Sequence, residues 1–271
     1  MTPRTDDREV LRRGELTVLG RIRSASNATF ICESTLAQRS VHCVYKPIAG
    51  EQPLWDFPDG TLAGRELGAY LVSTQLGWNI VPYTIIRDGP AGRGMLQQWV
   101  DQPGDTVGSD TDSGPDLVDL FPAGKPPPGY LPVLRAYDYA GDEVMLMHAD
   151  DIRLRRMAVF DVLINNADRK GGHILDGVDG QVYGVDHGVC LHVQDKLRTV
   201  LWGWAGKPVD DETLDAVARL VDALGGPLAD ALSGHVTAIE IAALRERGRV
   251  LLDNPVMPSP DRHRPIPWPA F

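Results

Sequence analysis

The sequence predicts an α+β protein of two lobes, the first rich in β-strands with a single helix, the second mainly helical with a single hairpin. Three features carry that expectation. Residues 15–48 alternate apolar and polar positions in runs rich in β-branched side chains. Residues 102–129 are dominated by Asp, Gly, Ser and Pro and interrupt the hydrophobic pattern. Beyond them, apolar residues recur at helical spacing, broken by one strand–turn–strand pattern.

In chain order, ELTVLGRI, TFICES and VHCVYKPI read as three strands, the first two joined by a turn of small residues at 24–28. A loop containing DFPDG leads into a helix over 61–76, with Leu62, Leu67, Tyr70 and Leu71 on one face and Gly77 at the C-cap. VPYTIIRDGPAGRGMLQQWVD reads as two strands joined at Asp88-Gly89-Pro90. Residues 102–129, with DLVDLF as their one apolar island, are expected to form an exposed, mobile connection. A helix follows over 150–165, then a hairpin in HILDGVDGQVYGVDHG with Asp179-Gly180 at its turn. Helices over 211–224 and 234–247 and a Pro-rich tail from 254 without regular structure complete the chain. The division is an N-terminal lobe over 1–100, a linker over 101–130 and a C-terminal lobe over 131–271.

Composition narrows the function. The 271 residues carry 27 Lys and Arg against 37 Asp and Glu, a net charge of −10. With no long basic run, that balance argues against nucleic-acid binding and against docking to an anionic membrane. No apolar run approaches the length of a membrane span, and residues 1–13 lack the apolar core of a signal peptide, so the expected setting is the cytoplasm. Cys32, Cys43 and Cys190 include no CxxC and are expected to be reduced thiols in a core.

The chemistry-bearing residues come in a definite order. Lys46 ends a strand and Glu66 lies in the helix that follows. Asp168 follows a helix and precedes the hairpin; Asp186 follows the hairpin, 18 positions later (186 minus 168). A hairpin of that length returns its end near its start, so both carboxylates are expected to face one cleft. A cation for phosphates, a carboxylate for a metal and a second carboxylate for an acceptor hydroxyl are what phosphoryl transfer needs. A zinc site is disfavoured, because His148, His173, His187 and His192 show no ligand spacing.

The run D-R-x-x-x-x-hydrophobic, then a hairpin, then V-D-H-G, resembles the catalytic and metal-binding loops of phosphatidylinositol 3-/4-kinase-like proteins, a plan shared by the HipA-type bacterial kinases. The resemblance spans roughly 15–198. It implies a two-lobed protein-kinase-like fold and an ATP-dependent phosphotransferase, with Asp168 as catalytic aspartate and Asp186 as ligand of Mg²⁺ or Mn²⁺. It implies further that Lys46 and Glu66 pair on the phosphates, that Ser24, Ser26 and Asn27 cover them, and that Gln98 and Val100, in the hinge 97–100, offer backbone groups to adenine. Two positions depart from the family pattern. His173 stands where a metal-binding asparagine is usual, and Lys170 stands where phosphoinositide-type kinases carry histidine. The His173 departure favours an alternative, a nucleotide-binding pseudokinase-type regulator without transfer. Asn165 and Asn166 are candidates for the missing amide, and Lys196 and Arg198 for contact with an anionic substrate. The phosphoacceptor, a protein or a small molecule, is not named by the sequence.

Overall fold

The structure is a computed structural model and describes residues 6–23, 25–103, 116–124 and 126–271. The first part is a five-stranded antiparallel sheet in the order β1-β2-β3-β5-β4. Its strands are β1 (Glu15–Arg21), β2 (Phe30–Leu36), β3 (Arg39–Pro47), β4 (Thr84–Gly89) and β5 (Gly92–Gln98). A short helix, α1 (Asp7–Arg13), packs on its outer face, where Leu11, Cys32, Cys43, Tyr45 and Leu96 form a small buried cluster. Because side chains alternate along β3, burying Cys43 and Tyr45 under α1 turns Lys46 to the opposite face.

That inner face meets α2 (Leu62–Leu76), whose N-terminus is satisfied twice over. Thr61 Oγ1 accepts from the Gly64 N–H at 2.9 Å, and the Glu51 carboxylate accepts from the Leu62 and Ala63 N–H groups at 2.9 and 2.8 Å. These bonds remove orphan donors and place negative charge at the positive end of the helix dipole. Gly77 closes α2 in the left-handed region (φ 72°), where a Cβ would be strained.

The second part is mainly helical: α3 (Ile152–Ile164), α4 (Asp211–Ala223), α5 (Pro227–Leu232) and α6 (Ala238–Asp253). Ala69, Val72 and Leu76 of α2 join the core built by these helices, so the helix carrying Glu66 is anchored in both parts of the molecule. Beside Glu66, Arg65 makes a buried ion pair with Glu240 of α6 at 2.7 Å. The α+β plan expected from the sequence, a β-rich sheet region followed by a helical part, is the one observed. All three cysteines are buried and unpaired, and no helix among the described residues is long and apolar enough to cross a membrane.

The stretch 102–129 corrects the sequence reading where it is described. Residues 104–115 and 125 lie outside the described residues. Val118–Pro122, however, is a strand, β6, in a three-stranded sheet ordered β6-β8-β7 with β7 (Tyr130–Tyr137) and β8 (Glu143–Ala149). The apolar island DLVDLF finds partners there: Val118 pairs with His148, Leu120 with Leu146, and Val118 is buried. Composition alone predicts a connection because the strand that pairs with β6 lies more than 20 positions further along the chain.

His148 ties this sheet to the helical part. Its Nε2 accepts from the Gly203 N–H at 3.0 Å and its ring lies 4.3 Å from that of Trp204. Burial holds this histidine below its usual range, against the raising effects of the Ala149 carbonyl and Asp150. A histidine kept neutral in the fold contributes stability above its unfolded pKa of about 6.5 and loses it as pH falls from there towards the depressed folded value. The melting temperature is therefore expected to drop between pH 7 and pH 5, and His148→Gln to flatten part of that slope; an unaltered slope in the variant contradicts the assignment.

Candidate functional site

The cleft between the sheet and the helical part has a volume of about 430 Å³. Residues 25–29, Lys46, Glu66, Asp168, Lys170, His173 and Asp186 line it. Lys46 Nζ bonds Glu66 Oε1 at 2.7 Å and also bonds Asp186 Oδ1. The second Glu66 oxygen accepts from the His187 N–H at 3.0 Å, so one carboxylate fixes both the lysine and the backbone next to Asp186. Burial would lower the Lys46 pKa, but Glu66 and Asp186 outweigh it and the ammonium is held above its usual range.

Asp168 and Asp186 converge because the hairpin between them, β9 (Ile174–Asp176) and β10 (Val182–Gly184), is stitched to its base by Arg169. The Arg169 guanidinium donates to the His173 carbonyl (3.2 Å) at the start of the hairpin and to the Val185 carbonyl (3.3 Å) at its end. It is fully buried against Asp161 of α3, at 2.9 Å, and donates to His187 Nε2 at 2.7 Å. Gly184 leaves room for it, since a Cβ there would sit 2.8 Å from the guanidinium nitrogens. Asp186 has φ 59°, an uncommon backbone state for a residue other than glycine and one that often accompanies functional positions.

The two carboxylates are pushed in opposite directions. Burial raises Asp168, against the lowering effects of Lys170, 3.4 Å away, and of His173. Burial would raise Asp186 too, but the Lys46 ammonium outweighs it and Asp186 is held below its usual range. Environments that separate two carboxylates in this way suit one as a proton acceptor and the other as a permanent anion.

His173 Nδ1 lies 2.8 Å from the Asp168 carbonyl, which assigns the proton to Nδ1 and leaves the Nε2 lone pair facing Asp186 Oδ2 at 3.5 Å. Burial first, and then Arg169, holds the ring below the usual histidine range against the pull of Asp186. A neutral imidazole and a carboxylate at this separation are spaced nearly as two neighbouring ligands of one ion, which stand about 3 Å apart in an octahedral shell. Among the described residues, no group of three or more His, Cys, Asp or Glu is arranged to hold a metal alone. A cation here would therefore draw further oxygens from a ligand and from water.

The sequence expectations are met unevenly. Ser26 and Asn27 line the cleft, and Asn27 Oδ1 accepts from the Gln52 N–H at 2.8 Å; Ser24 lies outside the described residues. Gln98 and Val100 do not line it. They border a separate depression with Tyr70, Tyr83 and Tyr183, and the Gln98 and Trp99 N–H groups are already used by the Tyr83 and His42 carbonyls. Both asparagine amides already have protein partners. Asn165 pins the loop 192–196 through the His192 and Gln194 carbonyls and the Lys196 N–H, and Asn166 bridges Asp161 to the Asp168 N–H. Lys196 is bound to Asp56 at 3.0 Å, with Phe57 beneath its ammonium. Sequence reasoning missed the Asp161–Arg169 pair and the tail. The Gly171 N–H donates to the Ala270 carbonyl at 2.8 Å and the Phe271 ring covers Gly171. The only sequence cue was an aspartate inside an otherwise apolar helix face.

Protein Rv2133c of Mycobacterium tuberculosis (strain ATCC 25618 / H37Rv) is 80% identical over 271 residues, 100% of this chain and 98% of that protein. Among solved structures, the crystal structure of a Helicobacter pylori proinflammatory kinase, CtkA, is similar over 90% of this chain and 93% of that chain, at 10% identity and a TM-score of 0.45. No protein-family model matches the chain.

Proposed function

We propose that this chain, which belongs to the same family as Rv2133c, is an ATP-dependent phosphotransferase. The observation that carries the reading is one cleft in which Lys46 bonds both Glu66 and Asp186 while Asp168 stands on the same wall as Lys170 and His173. A cation held by a buried carboxylate is pre-set to receive the β- and γ-phosphates of ATP. Asp186, with His173, would hold Mg²⁺ or Mn²⁺, which when bound neutralises charge on the phosphates. Residues 25–29 would cover the triphosphate. The acceptor oxygen forms its bond to the γ-phosphorus, its proton passes to Asp168, and the bond from that phosphorus to the bridging oxygen breaks, releasing ADP.

The raised pKa of Asp168 supports the proton-acceptor role, because a base nearer neutrality takes a proton more readily. The direct Lys46–Asp186 bond supports a second reading, a nucleotide sensor in which that bond opens on binding but no transfer follows. Labelled ATP with Mg²⁺ or Mn²⁺ tests the two: label on protein or on a released acceptor supports transfer, and bound, unchanged ATP supports the sensor. His173→Asn is informative in the same assay. As a metal ligand replaced by an amide oxygen, it is expected to maintain activity and shift preference from Mn²⁺ towards Mg²⁺. Lost stability with unchanged metal preference would assign His173 to packing alone.

A further inference from the structure

We propose that Arg198 anchors an acceptor subsite, so that the molecule phosphorylated carries an anionic group, a phosphate monoester or a carboxylate, near its reacting hydroxyl. The acceptor side of this inference rests on the phosphotransferase reading; the anion site itself does not. The argument begins with the charges that line the cleft. Lys46 is matched by Glu66 and Asp186, and Asp168 by Lys170. Asp56 is matched by Lys196 from outside the lining. Glu51 accepts from the first N–H groups of α2, and His173 lies between Asp168 and Asp186. Arg198 is the one charged side chain of this lining for which no hydrogen bond, ion pair or ring contact occurs among the described residues.

Its place is fixed by the main chain. The Arg198 N–H donates to the Asn166 carbonyl at 2.8 Å, and the Arg169 N–H donates to the Arg198 carbonyl at 3.0 Å. The neighbouring Thr199 pairs with Arg169 in a parallel bridge and bonds Asp161 through its hydroxyl. Arg198 is thus strapped to the two sides of Asp168, the residue assigned to the acceptor, and not to residues 25–29, which would face the triphosphate. It is half-buried. A guanidinium that lines the cleft without a protein partner is free to take a ligand, and its planar fork matches phosphate and carboxylate oxygens two at a time. Lys170, whose contact with Asp168 is a long 3.4 Å, stands in the same lining and adds a second positive charge.

Calorimetric titration of the full chain with inorganic phosphate, and separately with acetate, tests the site and distinguishes the two anion chemistries. At least one of the two is expected to bind saturably. Arg198→Ala is expected to weaken that binding tenfold or more, Arg198→Lys to weaken it less, since a point charge replaces the fork, and Arg135→Ala, an exposed change outside the cleft, to alter it by less than twofold. Melting curves of each variant establish that it is folded, and the Lys variant keeps the charge should the Ala variant fail to fold. No saturable binding of either anion, binding indifferent to both Arg198 changes, or binding weakened as much by Arg135→Ala would overturn the proposal. ADP titrated in the same instrument separates the two levels: anion binding that depends on Arg198 without ADP binding keeps the site and removes the kinase reading.

Discussion

Asp168→Asn is expected to lower phosphoryl transfer by roughly 10²–10⁴-fold while leaving MgATP affinity nearly unchanged. The carboxylate and the amide have the same shape, and the main chain at 168 is held independently of the side chain. Its N–H donates to Asn166 Oδ1 at 3.0 Å and its carbonyl meets His173 Nδ1 at 2.8 Å. What the substitution removes is the capacity to take a proton, which burial raises in this aspartate. The companion change Asp186→Asn differs in kind. It removes one of the two carboxylate charges beside Lys46 and the proposed metal ligand together, so both affinity and transfer should fall. Single-turnover transfer from labelled ATP, read beside nucleotide titration, separates the two effects. Full transfer by Asp168→Asn would remove Asp168 from the mechanism.

The second large effect is on stability. Asp161→Ala is expected to cost about 3–5 kcal/mol, because it leaves the Arg169 charge buried without its counter-ion. Asp161 and Arg169 are both fully buried. The same carboxylate accepts from Asn166 Nδ2 at 2.9 Å and from Thr199 Oγ1 at 3.2 Å, so three side chains lose their common acceptor at once. A shift of the urea midpoint at constant slope measures the loss. Asp161→Leu combined with Arg169→Met is expected to recover part of it, since removing both charges removes the desolvation penalty with them. A cost below about 1 kcal/mol for Asp161→Ala would mean that the hairpin base is held by other contacts.

Much of this architecture is legible in the sequence, for local reasons. The strands β1–β3 lie in a stretch that alternates apolar and polar residues, α2 carries its own caps at Thr61 and Gly77, and the β9–β10 turn announces itself as Asp179-Gly180. The pairing of Lys46 with Glu66 comes from the family resemblance, and the two side chains stand 2.7 Å apart. The features that escaped are those made by distant residues. Strand β6 lies in an Asp/Gly/Ser/Pro-rich stretch and is a strand only because Leu146 and His148 stand opposite it, about 30 positions away in sequence. The hinge positions Gln98 and Val100 were placed by resemblance, and the backbone bonds of Gln98 and Trp99 to Tyr83 and His42 turn them from the cleft. The Asp161–Arg169 pair is not foreseen, since a one-dimensional pattern does not distinguish a buried ion pair from two solvated side chains. The unmatched state of Arg198 is likewise visible only once every other charge in the cleft has been assigned.

Calorimetric titration of MgATP into the full chain, into Lys46→Ala and into Asp186→Asn tests the central claim most directly, that the cleft of Lys46, Glu66, Asp168 and Asp186 is a nucleotide site. Saturable binding by the unmodified protein, weakened at least tenfold by either substitution and accompanied by a raised melting temperature, is the predicted result. No binding at millimolar MgATP, or equal binding by all three proteins, would contradict it.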